Sequence, residues 1–161
     1  MMRLKRSLLF LVPCTLLLAH CTTIDLYEKN TAIPHHAWKS SFKPTFTFRI
    51  KDTTAAYQLF LVFRHTEKYN YTNLYINLYS QPPGSAKPVP IKFDLPLVNA
   101  EKGWLATGMD DIYEHRILLT PAHQDFYFKR SGDYTFSVEQ IMREDPLQNV
   151  LDVGLRIEKK Q

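Results

Sequence analysis

Apolar residues recur at every second position in four separate stretches of this chain, and that period decides what it can fold into. Phe46, Phe48 and Ile50 alternate with Thr45, Thr47 and Arg49. Leu74, Ile76 and Leu78 alternate with Asn73, Tyr75, Asn77 and Tyr79, and Tyr134, Phe136 and Val138 with Thr135, Ser137 and Glu139. Near the C-terminus, Leu151, Val153, Leu155 and Ile157 are set inward, with Asp152, Arg156 and Glu158 outward. Neighbouring side chains of an extended strand point to opposite faces, so each stretch specifies a strand with one buried face and one wet face. Tyr57–His65 is apolar on both sides, as a central strand would be, and shorter strands are expected at 91–95 and 112–119. No stretch sustains an apolar stripe at helical spacing beyond about one turn. The expectation is an all-β fold, an antiparallel two-sheet β-sandwich, Ig-like or jelly-roll-like, with seven or eight strands. Gly132-Asp133-Tyr134-Thr135-Phe136 resembles the start of a tyrosine-corner strand, with Arg130 where an Asp is usual.

The N-terminus is of a different kind. Arg3, Lys5 and Arg6 precede an apolar run, Leu8–Ala19. The run has the length of a secretory signal and is too short to span a bilayer, which takes roughly 20 residues. It ends in Leu18-Ala19-His20-Cys21, similar to the lipobox of bacterial lipoproteins except that His20 stands where a small residue is usual. This divides the chain into a lipoprotein signal peptide (1–20), a lipidated extended arm (21–41) carrying the acyl group on Cys21, and a sandwich domain (42–161). Two or more acyl chains hold a protein stably on a membrane. Thr22 stands where Asp would direct retention in the inner membrane, so the expected location is the outer membrane, facing the periplasm.

Removing the signal also changes the charge. The whole chain carries +4, but without Arg3, Lys5 and Arg6 its 17 basic residues face 16 acidic ones. The case for a nucleic-acid partner goes with them. Cys14 and Cys21 are the only cysteines, so the folded domain has no disulfide framework, no Cys-ligated zinc and no thiol nucleophile.

Few residues suggest chemistry. His35 and His36 are adjacent and point apart in an extended chain, which fits a polar arm better than a metal site. His65 and His115 fall in expected strands where they can meet across a sheet, although two imidazoles make a poor zinc site; a hydrogen-bonded edge histidine is expected. Asp110, Asp111 and Glu114 form the densest carboxylate group; paired acids held roughly 5–10 Å apart across a cleft could do glycosidase chemistry, and Met109-Asp110-Asp111 reads equally well as a turn before a strand. No hydrolase elbow, zincin motif or Walker loop is present, so no enzyme, catalytic residue, metal or cofactor is expected. Arg143 is expected to hold the turn at Pro146 through Glu144 or Asp145. Tyr75 and Tyr79, with Asn73 and Asn77 beside them and Tyr69 and Tyr71 upstream, either offer a sheet face suited to a glycan or a peptide or cover the second sheet or the rim of the core.

Several blocks together resemble the GldH gliding-motility lipoprotein family of the Bacteroidetes. They are Tyr27-Glu28-Lys29-Asn30 with Ile33-Pro34 and Trp38, Arg64-His65-Thr66 with Tyr69-x-Tyr71-x-Asn73-Leu74-Tyr75, Trp104, and Gly108-Met109-Asp110-Asp111-Ile112-Tyr113-Glu114-His115-Arg116. Gly132-x-Tyr134-Thr135-Phe136 and Glu139-Gln140-Ile141-Met142-Arg143-x-Asp145-Pro146-Leu147 follow, while Gly103-Trp104-Leu105-Ala106 departs from the family's Gly-x-Trp-Leu-Gly. The resemblance implies a non-enzymatic envelope lipoprotein that supports gliding and the type IX secretion machinery through protein contacts, and it carries over no catalytic residue. The expected contact surface comprises Arg64, His65, Tyr69, Tyr71, Tyr75, Tyr79, Asp110, Asp111, Glu114 and Arg143.

Overall fold

The computed structural model describes residues 27–160; the signal segment and Cys21 lie outside the described residues. The strands, in chain order, are β1 (Tyr27–Ala32), β2 (Ala37–Trp38), β3 (Thr45–Ile50), β4 (Tyr57–Thr66), β5 (Asn73–Gln81), β6 (Val89–Pro96) and β7 (Val98–Asn99). They continue with β8 (Gly103–Trp104), β9 (Thr107–Met109), β10 (Ile112–Leu118), β11 (Gly132–Gln140), β12 (Leu147–Gln148) and β13 (Val150–Lys159). A five-stranded sheet in the order β1-β13-β4-β10-β9 faces a four-stranded sheet in the order β3-β11-β5-β6. Every pairing between these strands is antiparallel. The chain is therefore the antiparallel two-sheet sandwich that its alternation specifies.

The inward sets are those the period picks out. Phe46, Phe48, Ile50, Leu74, Ile76, Leu78, Tyr134, Phe136 and Val138 from the smaller sheet meet Leu59, Leu61, Phe63, Val153, Leu155 and Ile157 from the larger, all buried. β4 lies at the centre of its sheet, and its outward Val62 is fully buried as well. Tyr134 closes a tyrosine corner of the kind found in β-sandwiches. Its hydroxyl donates to the Arg130 carbonyl at 3.0 Å and accepts from the Arg130 amide at 3.2 Å. In β13 the expected inward residue Leu151 is only partly buried, because the register slips between Val150 and Asp152. A bulge there adds one residue to the strand, and Val150 takes the core position instead.

The segment expected as an extended arm is part of the sandwich from Tyr27 onward. β1 pairs along its whole length with β13, from Tyr27 opposite Ile157 to Ala32 opposite Asp152. Trp38 is fully buried and donates its indole N–H to the Phe42 carbonyl at 2.8 Å, and β2 pairs with β12. A sheet that ends at β13 would leave that strand's outer hydrogen-bonding groups unpaired, which is the physical reason the preceding segment joins it.

The registers define two ends. Tyr27, Ile50, Tyr57, Gln81, Val89, Leu118, Gly132 and Lys159 lie at one end, so the connections 51–56, 82–88 and 119–131 gather there with the start of the described chain. The connections 33–44, 67–72, 97–111 and 141–149 gather at the opposite, far end.

Candidate interaction surface

In register, His115 of β10 faces Phe63 of β4 and Tyr113 faces His65, so the two histidines are diagonal neighbours on the inner face. Their Nε2 atoms lie 2.9 Å apart, and both side chains are completely buried. Tyr69 and Trp104 pack on the His65 ring with centroids at 4.7 and 4.8 Å. His65 Nδ1 lies 2.7 Å from the Thr66 carbonyl. A carbonyl only accepts, so this nitrogen carries a proton. In the neutral pair His65 Nε2 is then the acceptor and His115 Nε2–H the donor. His115 Nδ1 is left buried without a hydrogen-bond partner, beside the Leu105 backbone. Burial pushes the His65 pKa down; burial, reinforced by the charge of His65, pushes that of His115 down to about 4. Two nitrogens bound to one zinc at about 2.0–2.1 Å in a tetrahedral site sit about 3.3 Å apart. At 2.9 Å the contact is shorter than that and is a direct hydrogen bond. His65 and Tyr69, expected on a contact surface, are instead interior, because their rings fill the space beneath Trp104.

Arg64 and Glu114 point the other way, onto the outer face of the five-stranded sheet. Arg64 spans from Asp152 (3.2 Å) to Glu114 (3.6 Å), and Arg116 from Glu114 (3.0 Å) to Glu28 (3.9 Å). Arg156 then joins Glu28 at 2.6 Å to Glu158 at 2.8 Å. The ladder crosses β13, β4, β10 and β1, so it ties the sheet to itself and occupies Arg64 and Glu114. Asp152 is partly desolvated beneath it, and its pKa is raised by burial despite Arg64.

The turn at Pro146 is held differently from expectation. The Glu144 carboxylate accepts from the Tyr71 hydroxyl at 2.8 Å, and Asp145 accepts from the Ser40 hydroxyl and amide at 2.6 and 2.9 Å. With those acids taken by Tyr71 and Ser40, Arg143 stands exposed at the far end. Gln140, fully buried, donates to the Trp38 carbonyl at 3.2 Å and accepts from the Met142 amide at 2.8 Å. Ser40 carries no signal in the sequence, and Gln140 shows only as part of a motif block, since their partners lie about a hundred residues away or in an irregular turn.

Among the described residues, five non-glycine residues have left-handed backbone: His35 (φ 56°), His36 (55°), Asp110 (50°), Asp111 (64°) and Asn149 (66°). All five belong to the far end. Four of them, all but His35, border one open cleft of about 390 Å³ with Glu67 and Lys68. It is fixed by the Glu67 amide donating to the Asp111 carbonyl at 2.9 Å and the Thr66 amide to the Asn149 carbonyl at 3.0 Å. Left-handed backbone in residues with a Cβ concentrates at functional sites. On the other side of Asp110 is a second depression of about 470 Å³, bordered by Met109, which is 78% exposed. Leu105, also exposed, adds to the same end.

The Tyr/Asn sheet face is largely closed on itself. The Tyr79 hydroxyl donates to Glu139 at 2.6 Å, Asn77 donates to the same oxygen, and the Lys43 ammonium sits 4.7 Å from the Tyr79 ring centroid. Lys92 lies 5.7 Å from the Tyr75 ring centroid. Burial alone would raise the Glu139 pKa, but hydrogen bonding and the Lys43 charge lower it. Among the described residues no group of three or more His, Cys, Asp or Glu is placed to hold a metal ion.

Fold and surface together define an antiparallel β-sandwich domain with a cleft of left-handed polar residues at one end. The chain belongs to the GldH lipoprotein family, whose model matches residues 25–157. It is 28% identical to a protein of Christiangramia forsetii named "Gliding motility lipoprotein GldH homolog", over 98% of each chain. It is 26% identical to the "Gliding motility lipoprotein GldH" of Flavobacterium johnsoniae, over 99% of each. Among solved structures it is similar to a carbohydrate-binding module, CBM28, specific for non-crystalline cellulose (14% identity, TM-score 0.40, 81% of this chain and 70% of the module).

Proposed function

We propose that this chain is a non-enzymatic cell-envelope lipoprotein, anchored through an acyl group on Cys21, that supports gliding motility and the type IX secretion machinery through protein contacts made by its far end. The names of its relatives support the gliding role. One observation carries the choice of surface: left-handed His36, Asp110, Asp111 and Asn149 border a single cleft, next to exposed Met109. A protein domain that presents strained polar backbone beside an exposed apolar side chain has the mixed polar and apolar character of a contact surface. Arg143 and the partly exposed Tyr71 extend it. Facing the periplasm from the outer membrane, such an end is free to meet other envelope proteins. The glycan reading of Tyr75 and Tyr79 is weaker, because Lys43 and Lys92 occupy the ring faces on which a sugar would stack.

Deleting the gene is expected to impair spreading and the release of type IX substrates, and a Cys21→Ala chain is expected to leave the membrane fraction. Normal spreading and secretion in the deletion strain would sink the functional reading. A Cys21→Ala chain that stays in the membrane fraction would sink the anchoring.

A further inference from the structure

The opposite end of the sandwich carries a feature that protein contacts at the far end do not use. A cavity of about 410 Å³ opens there, walled by Phe126, Phe128, Tyr134 and Phe136, with Lys129 and Arg130 at its border. Tyr127, also lining it, is 47% exposed, and Val89 nearby on the edge strand is 59% exposed. The connections 51–56, 82–88 and 119–131 and residues 159–160 contain six cations and two acids. Both acids are already engaged: Lys159 pairs with Asp52 at 3.2 Å and Lys160 with Asp125 at 2.6 Å. Lys51, Lys87, Lys129 and Arg130 remain as an exposed cationic rim. The near-neutrality of the chain after its signal is therefore a sum over a dipolar molecule. This end is strongly positive and the remainder correspondingly negative.

The chain ahead of the structure says what this end faces. Tyr27 opens β1 at this same end, and its ring packs against Phe48, which in turn touches Phe128, Tyr134 and Phe136 of the cavity wall. Six residue steps separate Cys21 from Tyr27. Fully extended, they reach at most about 21 Å. An acylated Cys21 thus keeps the cavity and its cationic rim within one short span of the bilayer. β13 runs the length of the sandwich from this end to the other. At the rise of an extended strand it carries the far end roughly 33 Å further out.

We propose that the tether end of the sandwich docks on the phospholipid surface, with Lys51, Lys87, Lys129 and Arg130 against anionic headgroups, Tyr127 at headgroup depth, and the aromatic-walled cavity receiving a lipid acyl chain. Basic side chains are drawn to anionic lipid, and tyrosines settle where apolar and aqueous phases meet. Docking of this kind fixes the orientation of the domain, holding the far end away from the membrane. The proposal rests on the anchoring through Cys21.

The test uses the full, acylated chain reconstituted into vesicles that carry a spin-labelled lipid as quencher. One set is of phosphatidylcholine alone, the other of equal parts phosphatidylcholine and phosphatidylglycerol. The domain has no thiol, so a fluorophore placed on Tyr127→Cys, on Val89→Cys or on Asp111→Cys labels one site only. The expected result is several-fold stronger quenching at Tyr127→Cys and Val89→Cys than at Asp111→Cys. The difference should be larger in the phosphatidylglycerol vesicles and largely abolished by adding Lys129→Glu and Arg130→Glu. Equal quenching at the two ends, in protein that floats with the vesicles, overturns the docking while leaving the anchor intact. Protein that does not float with the vesicles overturns the anchor and the docking together.

Discussion

His65 and His115 share one hydrogen bond, Nε2 to Nε2 at 2.9 Å, deep beneath Trp104, and the Thr66 carbonyl decides which of them donates it. Because that carbonyl holds a proton on His65 Nδ1, the neutral pair leaves His115 Nδ1 as an orphaned acceptor. A third proton on the pair, beyond the one each neutral ring carries, would charge a buried site.

Stability should therefore depend on pH through these two rings. Both folded-state pKa values lie below the ordinary histidine value, that of His115 at about 4, so the unfolded chain binds more protons over the interval between. The pair's contribution is fully present above pH about 6.5 and is lost as pH falls toward about 4. Urea midpoints measured across this range should decline for the native protein and flatten in a His65→Phe/His115→Phe double variant. An unchanged slope in the double variant would contradict the assignment.

Gln140→Leu should cost about 2–3 kcal/mol, because it strands buried polar groups that the side-chain amide satisfies. Those groups are the Met142 amide and the Trp38 carbonyl. Equilibrium urea unfolding reads this directly. A loss below about 0.5 kcal/mol, the range of ordinary surface changes, would mean that water or the Met142 backbone takes over those bonds.

Asp110, at φ 50°, separates backbone strain from side-chain chemistry. Asp110→Ala should destabilise by about 1–2 kcal/mol, whereas Asp110→Gly should be close to neutral because glycine adopts the left-handed region freely. Thermal melts of the two variants give the comparison, and equal losses would remove the backbone explanation.

Gly154 lies beneath the Asn30 side chain of the edge strand, and a Cβ there would also come within 2.9 Å of the Lys29 carbonyl. Gly154→Ala should push β1 away from β13, with a loss of about 1–3 kcal/mol. Hydrogen exchange should show it as faster exchange of the β1 amides than of the β4 amides, and uniform protection would argue that the edge absorbs the methyl group.

How much of the fold and site is legible in the sequence follows from the range of the interactions. Phe46-Phe48-Ile50 and Leu74-Ile76-Leu78 declare themselves because burial on one sheet face imposes period two on consecutive residues. Tyr134 is legible for a similar reason: its corner partner, Arg130, is only four residues away. The far-end cluster is half legible. Asp110-Asp111 reads as a turn, but its convergence with His36 and Asn149 depends on four connections meeting in space. The interior places of His65 and Tyr69, the capture of Arg64 by Asp152, and the covering of Tyr79 by Lys43 are contacts between distant segments. No local period encodes them. β1 gives no signal because an edge strand buries little, and its Glu28-Lys29-Asn30 run shows no alternation.

If the far end of the sandwich makes the contacts on which secretion and gliding depend, altering that end alone should abolish both. The most direct test is complementation of the deletion strain with a Met109→Asp/Arg143→Glu chain, scored for release of type IX substrates and for spreading. Both residues are exposed, so the variant should fold and stay in the membrane fraction like the native chain while failing to restore either activity. Full restoration of secretion and spreading by that variant would contradict the claim.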